Sequence, residues 1–285
     1  MPIEYAGRGD PARTLALLWK TAERPTRGPK PGLALDQIVA AAIAIADAEG
    51  LDALSMRRVA SELGVGTMTL YRYVPSKGEL LDVMLDTVAG EEPPLNTVDG
   101  NLRATLECAA RSAWDHFHRH PWILQVAIAR PVLGPHTIRR YEAALQVLSG
   151  LGLSYAQSTA ALMTIDGFVR GVARSAVEAA QAERVTGITD DQWWGERDWF
   201  WERFFDPALF PTISRAWQNG EITESSTDPA IVFEFGLARL LDGFDMLRGP
   251  DGSAPDAPGH IRPSSQDETS ARKRLSATTD PTTDE

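Results

Sequence analysis

The sequence predicts an all-α protein: an N-terminal helix-turn-helix three-helix domain, followed by a larger α-helical domain. Three observations carry that expectation. Apolar residues recur at helical spacing through most of the chain. Serine, aspartate and proline stand where helices must begin, and glycine where they must end. No alternating apolar–polar run is long enough to build a sheet.

The 285 residues leave room for one large or two modest domains with an ample core. No apolar run is long enough to span a membrane. The opening residues lack the basic and apolar blocks of a secretory signal, and the one cysteine, Cys108, suits a reducing compartment, so a cytoplasmic location is expected. Cys108 reads as a small buried hydrophobe. The net charge of −11 is unevenly spread. Residues 1–90 hold ten basic and eleven acidic groups, whereas residues 91–248 hold fourteen and twenty-one. Such a balance opposes non-specific coating of DNA but leaves a small, pointed contact surface open, because the long-range field is screened within about 8 Å at physiological salt.

In chain order, residues 10–20 read as a short helix capped by Asp10 with Pro11 in its first turn. The run 24–32 is too rich in proline and glycine for either regular element, and it carries Arg24, Arg27 and Lys30. A basic arm beside a helix-turn-helix can enter a minor groove; the alternative is a solvated linker. Residues 35–50 form the next helix, with Ile38, Val39, Ala42, Ile45 and Ala46 on one face and Gly50 ending it. Over 54–73, Ser55 caps a helix bearing Val59, Ala60 and Leu63, Gly64 stops it, and Leu70 and Val74 line the inside of a second. Ser76 and Glu79 have capping-box spacing and open a helix over 77–88.

Beyond Glu91-Glu92-Pro93-Pro94, helices are predicted near 99–118, 121–130, 135–150, 154–183, 196–205, 207–219 and 229–247, with a loop at 186–191. The domains are placed at 1–33 (extension with a short helix and basic arm), 34–90, 91–248, and a disordered tail at 249–285 that has almost no large apolar residues.

The run Ala48-Glu49-Gly50-Leu51, Leu54-Ser55-Met56-Arg57, Leu63-Gly64-Val65, Leu70-Tyr71-Arg72-Tyr73-Val74, Lys77 and Leu80-Leu81 resembles the DNA-binding domain of the TetR family of bacterial transcriptional regulators. Residues 233–243 resemble the ending of the tetracycline-repressor-like C-terminal domain, a shorter match. The resemblance implies a ligand-responsive repressor that binds a palindromic double-stranded operator as a homodimer. Carried over residue by residue, it implies that Thr67, Thr69 and Tyr71 meet bases, joined by Arg57, with Met68 also among the DNA-binding residues. Tyr73 and Lys77 would hold phosphates, and Arg72 either. The alternative is an all-α ligand-binding or interaction protein that kept the fold without specific DNA binding.

The helices at 154–183 and 229–247 have apolar faces too wide for a monomer surface, which places Met163, Gly167, Gly171, Phe235, Leu240 and Phe244 in a four-helix dimer interface. The alternative is burial within one protomer. An apolar or aromatic effector would meet Trp114, Phe117, His118, Trp122, Val126, Ile165, Phe168 and Trp199, with the dense aromatic run 193–205 contributing further wall. The alternative there is ordinary helix–helix core. In His116-Phe117-His118-Arg119-His120 only His116 and His120 share a helix face, and no glutamate follows the first histidine as metalloprotease chemistry needs. Aligned on Arg130-Pro131, Val126 and Ala129 replace the His and Thr of the tetracycline repressor's magnesium site, so a tetracycline–magnesium inducer is not expected. No metal, cofactor or catalytic set is expected: there is no G-x-S-x-G run, no Cys-x-x-Cys pair and no supported carboxylate pair.

Overall fold

The computed structural model describes residues 4–21, 33–222 and 228–246. The basic run with Arg24, Arg27 and Lys30, and the tail from 249, lie outside the described residues.

The N-terminal helices form where local capping dictates. In α1 (Pro11–Leu18) the Asp10 carboxylate accepts the Arg13 N–H at 2.9 Å. In α2 (Leu35–Glu49) Ile38, Val39, Ala42, Ile43, Ile45 and Ala46 are buried, and Gly50, at φ 84°, ends the helix in a conformation that suits glycine. Ser55 caps α3 (Met56–Glu62) through the Arg58 N–H, and Gly64 turns the chain at φ 65° into α4 (Thr67–Leu70). Leu70 and Val74 are fully buried, as the spacing predicts. Ser76 then caps α5 (Lys77–Ala89) through the Gly78 N–H.

The larger half is built on α6 (Leu102–Arg119), α7 (Pro135–Gly150), α8 (Tyr155–Thr186) and α12 (Pro229–Asp245). Phe233, Leu237 and Leu241 of α12 recur every four residues and sink between α6 and α8, against Leu106, Ala110, Ile165 and Val169. Each such side chain contributes roughly 1.5–3 kcal/mol on burial. Gly236 lets α12 lie directly on Phe168, whose ring would collide with any added methyl group.

The stretch expected as a helix over 121–130 is not one. Pro121–Gln125 is a 3₁₀ turn, followed by a two-residue strand, β2 (Val126–Ala127), that pairs in parallel with β1 (Glu4–Tyr5). The reason is non-local. The N-terminal segment satisfies backbone groups that a helix would otherwise satisfy internally, and Pro131 disfavours helix at Arg130. Between α8 and α12 lie three short helices, α9 (Asp190–Gly195), α10 (Trp199–Arg203) and α11 (Pro211–Gln218). The loop expected at 186–191 is shorter: α8 runs on to Thr186, Gly187 turns at φ 69°, and Thr189 caps α9.

Candidate DNA-reading face and effector cavity

The turn from α3 to α4 leaves one polar face outward. Arg57, Met68, Tyr71 and Arg72 are exposed, while Thr67, Thr69, Tyr73 and Lys77 are half-buried. The two adjacent arginines of α3 differ. Arg58 is held by Glu49 at 2.6 Å and Glu62 at 2.7 Å, and the two carboxylates raise its pKa further above the guanidinium range. Neither the Arg57 nor the Arg72 guanidinium has a hydrogen bond or ion pair among the described residues. Free guanidinium groups on a convex face suit phosphate oxygens or guanine edges. Lys77 is not free: its ammonium sits 2.9 Å from Glu4.

Glu4 belongs to a strap that sequence reasoning missed. Residues 4–20 cross from β2 to the start of α5, with the Gly7 N–H donating to Asp82 at 2.8 Å and the Asp10 N–H to Glu79 at 3.1 Å. At the far end of α1 the Trp19 indole donates to the Leu133 carbonyl at 2.9 Å. Glu79, Asp82 and Asp86 are all buried along α5, each accepting from another segment; Asp86 takes the backbone and hydroxyl donors of Thr137 at 2.9 Å. Burial pushes the Asp82 carboxyl up against the lowering effect of the Gly7 N–H. Burial opposes ionisation of Glu79, but the Ser76 hydroxyl, then the backbone N–H groups of Glu79 itself and Asp10, hold it below the usual range.

A cavity of about 360 Å³ lies between α5, α6, α7 and α8. Leu85, Val88 and Ala89 of α5 form one wall, Ala113 and Phe117 of α6 another, and Ile128, Pro131 and Val132 close a third side. Its polar groups include Glu92, His116, Arg140, Asp166 and Arg170. Burial holds the His116 imidazole down at about 4, helped by His120 and the charges of Arg119 and Arg170. Cys108, expected to be buried, is exposed at the cavity's edge.

Of the eight expected pocket residues, only Phe117 lines this space. Trp114 packs on Phe233 at 4.5 Å, Phe168 stacks on the same ring at 6.1 Å, and Ile165 is buried beside them, so all three serve the α6–α8–α12 core. Trp122 is fully buried, and its indole donates to Asp47 of α2 at 2.8 Å. Val126 is held in β2, and His118 faces outward with Nδ1 donating to the Trp114 carbonyl. Trp199 is exposed on α10. The run 193–205 also stays outside the cavity and packs mainly on itself, Trp193 on Trp194 at 4.8 Å and Trp201 on Phe205 at 5.1 Å.

The histidine run resolves differently from a metal site. His116 and His120 are buried on one face with rings 5.3 Å apart, and His118 points away. His120 meets Asp47 at 2.8 Å and Glu91 at 2.9 Å, tying α2 to the end of α6. Among the described residues no group of three metal-ligating side chains is placed so that it could hold a metal ion, and no helix is long and apolar enough to cross a membrane. The expected dimer residues divide: Met163, at 71% exposure, and Phe235, at 66%, lie open with Gly167 and Gly171, while Leu240 and Phe244 are half-buried.

Comparison with known proteins agrees with this geometry. Residues 38–84 match the family model for bacterial regulatory proteins of the tetR family, and residues 93–247 match that for the tetracyclin repressor-like C-terminal domain. The HTH-type transcriptional repressor DrrR1 of Streptomyces coeruleorubidus is 48% identical over 246 residues, 86% of this chain and 89% of that one. ActR from Streptomyces coelicolor in complex with actinorhodin superimposes with a TM-score of 0.62 at 27% identity, covering 78% of this chain and 99% of ActR. ActR in complex with (S)-DNPA gives a TM-score of 0.55 at 29% identity, over 74% and 98% of the two chains. The chain thus belongs to the TetR family, the helix-turn-helix transcriptional repressors that bind DNA and respond to small ligands.

Proposed function

We propose that the chain works as a cytoplasmic homodimer that holds a palindromic operator and lets it go when a mostly apolar, ring-bearing effector fills the 360 Å³ cavity. One observation carries this reading: α5 starts four residues after Tyr73, and its far end, at Leu85, Val88 and Ala89, forms a wall of the cavity. A ligand that pushes this wall moves the reading face with it, to the extent of its preference for one arrangement over the other. Asp86, bonded to Thr137 of α7, and the strap from β2 to Lys77 give two further connections along the same line. That ActR is solved with actinorhodin and with (S)-DNPA supports a small-molecule effector.

In this reading Arg57, Thr67, Met68, Thr69, Tyr71 and Arg72 contact the major groove, with Tyr73 and Lys77 on phosphates; Arg24, Arg27 and Lys30 add phosphate contacts from the arm. The open apolar strip of Met163, Gly167, Gly171 and Phe235, edged by Leu240 and Phe244, pairs with its copy by two-fold symmetry. The protein acts by binding and carries out no catalysis. The test is selection of bound DNA from a random pool, followed by titration of the chosen duplex in fluorescence anisotropy. Recovery of an inverted repeat supports the reading, and recovery of no preferred sequence refutes it.

A further inference from the structure

One end of the cavity holds two buried polar atoms with nothing to bond. Glu92 and His116 both line it, with side chains only 5% and 8% exposed. His116 Nε2 stands 3.7 Å from Glu92 Oε1, beyond hydrogen-bond reach, and Arg140 pairs with that same oxygen. Glu92 Oε2 and His116 Nδ1 are left without a partner. Buried polar atoms are satisfied in the great majority of native sites, so two orphans on residues that line one cavity mark where a missing partner belongs. Their chemistry is the same. A glutamate oxygen on the carboxylate that pairs with Arg140 accepts, and the imidazole, neutral at physiological pH, presents Nδ1 as an acceptor once its proton sits on the nitrogen nearer the carboxylate.

The other charges around the cavity leave no surplus positive group. Arg140 pairs with Glu92, and Arg170 with Asp166 at 3.4 Å. An acidic ligand group would meet an unpaired carboxylate oxygen at the polar end, whereas a hydroxyl or amine would complete it. The remaining walls there, Val88, Ala113, Phe117 and Ile123, accept ring carbon.

We propose that Glu92 and His116 form an acceptor pair selecting effectors that carry a hydroxyl or amine donor at one end of an apolar ring system, and rejecting carboxylates of the same shape. The proposal rests on the cavity being the effector site, and its test separates the two ideas. Calorimetric titration of the full chain near neutral pH would use three probes of one shape: 2-naphthol, 2-methoxynaphthalene and 2-naphthoate. The expected result is that 2-naphthol binds about tenfold or more tightly than 2-methoxynaphthalene, because only it can donate, and that 2-naphthoate binds weakest. His116→Phe should shrink the naphthol advantage, and Glu92→Gln should also relieve the penalty on 2-naphthoate. Circular dichroism and thermal unfolding of each variant check that it keeps the fold. Equal affinity for naphthol and its methyl ether, or an advantage that survives both substitutions, overturns the donor assignment and leaves the cavity standing. Binding of none of the three removes both.

Discussion

The proposed reading face and the proposed effector cavity solve opposite problems with the same helical material. The face is a handful of polar and aromatic side chains on a convex turn, open to water and held by one buried leucine, Leu70, and the helix beneath it. The cavity is concave, walled by apolar groups from four helices, with a few charges matched in pairs. Changes on the face therefore alter what is bound and leave the fold alone. In that reading, changes beside the cavity should alter stability and binding together, because the same side chains that would wall the effector fill the core. The α5 helix belongs to both, and its three buried carboxylates bind it to the strap and to α7.

The largest expected difference between the regions is in stability. Leu106→Ala, in the buried centre of α6, should cost about 2–5 kcal/mol in urea denaturation. Met68→Ala, 76% exposed on α4, should stay within about 0.5 kcal/mol of the parent. Comparable losses would mean that the face is structural.

The second is a pH effect confined to the cavity side. The unfolded chain protonates His116 below its ordinary value of 6.5, whereas the folded chain does so only near 4. Unfolding takes up a proton between these limits, so stability should fall as pH drops from 6.5 toward 4, by at most about 3 kcal/mol, and this contribution should be flat above. His116→Phe should flatten that slope in denaturation curves across the window, and a slope that persists would place its origin elsewhere.

Next is Tyr71→Ala, expected to weaken operator binding by roughly 1–3 kcal/mol while the affinity for 2-methoxynaphthalene stays the same. Unchanged operator affinity in a gel-shift titration would remove Tyr71 from the interface. The smallest effect is expected from Glu4→Gln, which frees Lys77 from a partly exposed ion pair worth about 0.2–1 kcal/mol. Operator affinity should rise slightly and the salt dependence steepen by about one counterion; an identical slope would leave Lys77 with no role on DNA.

The reading face is legible in the sequence because its signals are local. Ser55, Gly64 and Ser76 punctuate the chain, and Val59, Ala60, Leu70 and Val74 repeat at helical spacing within twenty residues. The cavity is not legible in the same way. Leu85, Glu92, His116, Arg140 and Asp166 come from distant points of the chain, and only packing brings them together. The strap fails for the same reason: nothing near Glu4 signals that it will pair with Val126. Aromatic density misdirected the expectation for the pocket, because Trp114 and Phe168 are as useful to a core as to a ligand, and the run 193–205 packs mainly on itself. The spacing of His116 and His120 was readable, but the carboxylates they meet lie far away in the chain.

The claim that filling the cavity moves the reading face can be measured without knowing the effector. Ala113→Phe places a ring in the cavity from α6. In a Cys108→Ser background, a spin label at Met68→Cys reports the distance between the two reading helices of the dimer by pulsed electron resonance. The account predicts that Ala113→Phe shifts that distance and lowers operator affinity about tenfold or more. An unaltered distance distribution with unaltered operator affinity, in a folded dimer, would contradict it.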